Sequence, residues 1–190
     1  MKISGKLLSL LMVMMLSLSL CSCGGEKAEE SQGVPPSKVE EGEEGIANPW
    51  STAKSLQEAA EKAGLEKFSI PEGTEISLGP VSVKEYRYMD GIAEAYIAFP
   101  AVDMSIRKGT EAALAESGDI SGDYNEYAYE WTQDINGTEV RCFGNREGEA
   151  TKAMWNIVNN YFSITAYGMG GDTDYGLGAD DLNTLVSGIK

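Results

Sequence analysis

Long stretches of alternating apolar and polar residues, punctuated by two-residue turn signals, constrain the fold of this chain more than any other feature. VSVKEYRYMD and IAEAYIAF flank Asp90-Gly91, Asn136-Gly137 joins YAYEWTQDI to TEVRCF, and Asn159-Asn160 joins KAMWNIV to YFSITAY. Such pairs accept the positive φ that tight hairpins demand, so these segments read as antiparallel neighbours. Val102, Met104 and Ile106 alternate with Asp103, Ser105 and Arg107, and Phe162, Ile164 and Ala166 alternate with Ser163, Thr165 and Tyr167. That pattern gives a sheet one dry face and one wet face.

A helix brackets the strands at each end. Ser55 and Glu58 form a capping-box pattern, Leu56, Ala59, Ala60 and Ala63 mark one helical face, and Gly64 ends it. Asp180 and Asp181 suit the first turn of a last helix, in which Leu182, Leu185, Val186 and Ile189 recur at i, i+3, i+4 and i+7. The expected fold is α+β: a curved, mostly antiparallel sheet of six to eight strands, with an N-terminal and a C-terminal helix packed on its dry face. This single domain spans residues 46–190, long enough to bury one core without disulfide support.

The N-terminus carries an export signal over residues 1–22. Lys2 and Lys6 precede an uncharged run from Leu7 to Leu20. This run falls short of the roughly 20 residues needed to span a bilayer. Leu20-Cys21-Ser22-Cys23 resembles a bacterial lipobox, which implies cleavage before Cys23 and a diacylglycerol on its sulfur. Cys21 is the poorer acceptor because bulky Leu20 would then sit next to the cut. Two acyl chains anchor durably where one does not. Residues 23–45, with seven Glu and only Ala28, Val34 and Val39 as apolar side chains after Cys23, cannot bury a core and read as a disordered acidic tether. The expected location is the outer face of the cytoplasmic membrane, with the membrane itself engaged through lipid on Cys23.

Charge and missing residue types narrow the function. Fifteen basic residues stand against 30 acidic ones, with no basic block, which opposes nucleic-acid binding. Loss of the signal removes Lys2 and Lys6 and leaves a net charge of −17, so lipid and not electrostatics must hold the protein to anionic headgroups. There is no histidine, which excludes Ser-His-Asp and Cys-His relays and His-ligated metal. The chain reads as a non-enzyme without a cofactor. Cys142 is the one thiol left after processing; adjacent strand residues point to opposite faces, so Arg141 cannot activate it, and it reads as a half-buried strand residue.

Three constellations could carry function. In the first, Asp119, Ser121, Asp123 and Asn125 place oxygen ligands at every second position, as in a calcium loop. However, Tyr124 stands where such a loop needs glycine. The competing reading is a series of Asx turns between a short helix near Glu111 to Ala115 and the next strand. In the second, Tyr127, Tyr129 and Trp131 stand at period two and would share one face of a strand. An exposed aromatic stripe would suit an envelope protein, a peptide or a glycan, while a buried one would be core against the helices. The third is a pair of carboxylates, which would make the domain a wall-polymer hydrolase, the alternative to a binding module.

Four strings stand out: Asn48-Pro49-Trp50 before the Leu56 to Gly64 helix, Ile106-Arg107-Lys108-Gly109, Asp119-Ile120-Ser121-Gly122-Asp123-Tyr124-Asn125 with Tyr127, and Trp155 before the terminal amphipathic helix. Together they resemble a domain of unknown function found in envelope lipoproteins and exported parts of membrane proteins of Gram-positive, mainly clostridial, bacteria. The resemblance spans roughly residues 48–190 and implies a cell-surface α+β domain, with no activity and no catalytic residues. Cys142 departs from its pattern.

Overall fold

The computed structural model describes residues 48–114 and 118–190. The signal at 1–22, Cys23 and the tether at 23–45 lie outside the described residues. In chain order the elements are β1 (Ser51–Ala53), α1 (Leu56–Lys62), β2 (Glu75–Ile76), β3 (Gly79–Pro80), β4 (Val83–Met89), β5 (Ile92–Ala98) and β6 (Val102–Thr110). They continue with β7 (Tyr129–Ile135), β8 (Thr138–Gly144), β9 (Lys152–Ile157), β10 (Asn160–Gly168) and α2 (Ala179–Gly188). Eight strands form one sheet in the order β1-β4-β5-β6-β10-β9-β8-β7, every neighbouring pair antiparallel, while β2 pairs with β3 apart from it. The domain is therefore α+β: a large antiparallel sheet with two helices. Where a short helix near Glu111 to Ala115 was expected, a 3-10 turn spans Glu111–Ala113.

The ends of α1 follow from local chemistry. Ser55 accepts the Glu58 backbone N–H at 3.2 Å, and Glu58 accepts that of Lys54 at 2.8 Å, one residue earlier than in a standard capping box. At the other end Gly64 takes φ 76°, and the N–H groups of Gly64 and Leu65 donate to the carbonyls of Glu61 and Ala60, which closes the helix as a Schellman turn.

The dry face carries Ala93, Ala95 and Ile97 of β5, Met104 and Ile106 of β6, Ile164 and Ala166 of β10, and Val140 of β8. Leu56, Ala59 and Ala60 of α1 and Leu182, Leu185 and Val186 of α2 join the same core. The helices do not cover it alone. Helices of seven and ten residues are about 10 and 15 Å long, whereas eight strands about 4.8 Å apart make a sheet over 30 Å wide. Accordingly α1 lies against β1, β4 and β5 and α2 against β7, and Leu65, Phe68, Ile76, Val81 and Leu177 from irregular segments complete the cover.

Two of the turns behave as the sequence suggests. Asp90-Gly91 joins β4 to β5, and Asn136-Gly137 joins β7 to β8 with both residues at positive φ, 55° and 82°. The third is shifted by one residue. Asn160 pairs with Ile157, so Val158-Asn159 forms the turn and Val158 sits at φ 55° with 81% of its surface exposed. A β-branched side chain in the left-handed region is strained by about 1 to 2 kcal/mol, and nothing buried compensates here. Val158→Asn should therefore raise stability by about 1 kcal/mol and lift the melting temperature; an unchanged or lower melting temperature would show the strain to be absent.

The strand order dictates the molecule's other main feature. β6 lies in mid-sheet and β7 at the far edge, so the connection between them must pass β10, β9 and β8. Residues 118–128 do so across the second face of the sheet, as a strap. The expectation of a wholly wet second face is thereby corrected: Glu94 is 0% exposed, and Asp119, Ser121, Asp123, Lys152, Ser163 and Thr165 are buried beneath or within the strap.

Candidate functional site: the strapped face and the β7 edge

Two cations of the sheet, Arg107 and Lys152, hold residues 119–123 of the strap. Glu94 on β5 lies opposite Arg87 of β4 and Arg107 of β6 in the ladder, and both guanidinium groups bind its carboxylate, Arg107 Nε at 2.7 Å. Arg107 Nη1 also donates to the carbonyls of Ile120, at 3.0 Å, and Ser121. Trp50 covers the cluster, its ring centre 4.8 Å from the Arg107 guanidinium carbon and 5.7 Å from that of Arg87. Gly122 sits so close that a Cβ there would fall 2.5 Å from Arg107 Nη1, and its φ of 68° favours glycine in any case.

Further along, the strap closes on Lys152 of β9. Its ammonium binds Asp119 Oδ2 at 3.1 Å and the Asp123 carbonyl at 3.0 Å, and lies 4.8 Å from the Phe143 ring centre. Asp119, Ser121 and Asp123 each accept the backbone N–H two residues on, at 2.6, 3.1 and 2.9 Å. The calcium-like spacing of Asp119, Ser121, Asp123 and Asn125 thus forms three successive side-chain turns, gathered about an ammonium that the chain itself supplies. The same spacing serves both geometries because each uses an oxygen at every second residue.

The aromatic triplet is divided. β7 begins at Tyr129, and Tyr127, still within the strap, turns to the second face, where its hydroxyl donates to Asp123 and its ring meets Phe143 at 6.4 Å. The expectation that Tyr127 shares a face with Tyr129 and Trp131 is corrected, since period two applies only inside a strand. Tyr129 is 45% exposed, and Trp131 is half-buried against the core. Together with Glu130, Glu147 and Gly148 they line a cleft of about 310 Å³ beside the outermost strand. Sequence periodicity singled out both aromatics but not Glu147, which comes from the β8–β9 connection.

Cys142 faces the dry side and is fully buried, not half-buried. Burial pushes its thiol up to about 12, where it is neither nucleophile nor metal ligand near neutrality. Burial, then the Asp123 carboxylate, raises Tyr127 and Tyr167 well above the ordinary 10.0. Since all three hold their protons in the folded state, their contribution is complete below the unfolded values of 9.0 and 10.0 and is lost as pH rises. Unfolding free energy should fall steadily from about pH 9 upward in a urea titration; a flat profile to about pH 11 would contradict these shifts.

Comparison with protein-family models, with curated proteins and with solved structures returned no match.

Proposed function

We propose that the chain is an exported, lipid-anchored surface protein whose domain binds a ligand or protein partner without catalysing a reaction, in a sensor or accessory role. The export and anchoring part rests on the lipobox-like Leu20-Cys21-Ser22-Cys23 and the acidic tether. The binding part rests on one contrast. Glu94, Asp119, Asp123, Arg107 and Lys152 are engaged within the strapped face, whereas Tyr129 and Trp131 open onto a cleft at a sheet edge that is unpaired among the described residues. Aromatic rings with polar handles beside a cleft suit recognition. The resemblance to a domain of Gram-positive, mainly clostridial, envelope lipoproteins supports a cell-surface location.

Cys23→Ser should abolish metabolic lipid labelling and release the protein to the medium; unchanged labelling would show that another cysteine, not Cys23, carries the lipid. The rival reading, a wall-polymer hydrolase, is favoured by Glu130 and Glu147 sharing the cleft. It requires release of soluble fragments from cell wall and loss of that release in Glu147→Gln. Retention of wall or envelope ligand without fragment release, lost in Trp131→Ala, supports the binding module.

A further inference from the structure

We propose that β7 is a docking edge for an extended basic peptide, which adds to the sheet as a ninth strand. This rests on reading the domain as a binding module. As the terminal strand, β7 pairs only with β8 among the described residues. Its two-residue turn makes Ile135 and Thr138 the first hydrogen-bonded pair, so alternation turns the backbone groups of Glu130, Thr132 and Asp134 outward. This edge of seven residues has no proline or lysine, and the charges it carries, Glu130 and Asp134, are acidic, so it is guarded against acidic strands and open to basic ones.

The charges select the added strand. Asp134 lies directly opposite Glu139 in the ladder, and neither forms an ion pair with a cation among the described residues. Like charges in that position destabilise a sheet, and a cation on the next strand relieves them. Glu130 has an exposed partner, Arg141 at 2.8 Å, and exposed pairs of that kind exchange readily. A second copy of β7 would bring further acids to the edge, which disfavours self-pairing. A matching strand therefore alternates: Lys or Arg beside Glu130, Thr132 and Asp134, and apolar residues beside Tyr129, Trp131 and Gln133. Main-chain bonds give it affinity and alternate side chains give it specificity.

The test uses the full chain with Cys23→Ser, which leaves out the lipid, and two end-capped heptapeptides, Val-Lys-Val-Lys-Val-Lys-Val and Val-Glu-Val-Glu-Val-Glu-Val. Titration calorimetry should detect the lysine peptide alone, with binding weakened by salt. Thr132→Pro removes an outward N–H without breaking the β8 ladder and should weaken it about tenfold or more while the melting temperature holds. If that variant fails to fold, methylation of alternate peptide nitrogens on the β7-facing side should abolish binding to the unaltered chain. Equal binding of both peptides, binding of neither, or binding indifferent to Thr132→Pro and to N-methylation would overturn the proposal. If neither peptide binds but envelope ligand is still retained and lost in Trp131→Ala, the binding-module reading survives without the basic peptide.

Discussion

Arg107→Ala should lower the unfolding free energy by about 3 kcal/mol, because it removes one of two partners of a buried carboxylate and leaves Glu94 to Arg87 alone. Glu94 is 0% exposed, and Arg107 supplies it with a 2.7 Å bond from the less exposed of its two guanidinium groups. Arg107 side-chain exposure is 15%, against 26% for Arg87, so Arg87→Ala should cost less. The alanine also removes the donor to the Ile120 and Ser121 carbonyls, each worth about 1 kcal/mol when left unpaired. Arg107→Lys cannot rescue the site, since a single ammonium reaches neither two directions at once nor the Trp50 stack. Urea unfolding of both variants decides the matter. A loss below about 1 kcal/mol for Arg107→Ala would mean that water reaches Glu94 and the cluster is not buried in solution.

Lys152→Met should cost about 3 kcal/mol by the same reasoning, because it leaves the buried Asp119 carboxylate without its cation. Lys152 and Asp119 are each only 8% exposed, and the ammonium also satisfies the Asp123 carbonyl. The sharper readout is local. Amide exchange at residues 120–125 should accelerate far more than exchange in β5, β6 and β10, because the strap can lift while the ladder beneath remains paired. Adding Asp119→Asn keeps the turn to the Ser121 N–H but removes the stranded charge, so the double variant should regain much of the loss. Strictly additive costs would show that packing of the lysine stem, not charge, holds the strap.

Both variants bear on the strings that resemble the lipoprotein domain. Trp50, Arg107, the 119–125 segment and Tyr127 lie far apart in the chain, yet converge on the second face of the sheet. Their common setting is a closed ionic and aromatic fastening, which gives them a structural reason to occur together. Trp155 stands apart from them, stacked on Phe162 in the dry core at 5.4 Å.

What was legible in the sequence was local. The caps of α1, the Asp90-Gly91 and Asn136-Gly137 turns and the alternating strands each depend on residues within a few positions, and their side chains state the conformation they favour. Val158 escaped because a β-branched residue argues against the very φ it adopts. Lys108 escaped too. It continues the dry-face series of Met104 and Ile106, and its buried ammonium donates to the Lys67 carbonyl, where desolvation lowers its pKa. A periodicity argument cannot place a cation on an apolar face, because it does not know where that face ends.

By itself the sequence determined the fold class, the antiparallel sheet, the apolar dry-face residues of β6 and β10 and the expectation of an exported, acidic, histidine-free module. Only the tertiary structure decided that β6 pairs with β10 and leaves β7 at the edge. That order is set by contacts between residues up to 66 positions apart, which no window on the chain contains. From it follow the strap, the burial of Glu94 and Lys152, the diversion of Tyr127 from its neighbours, and the outer position of β7, which carries Tyr129 and Trp131.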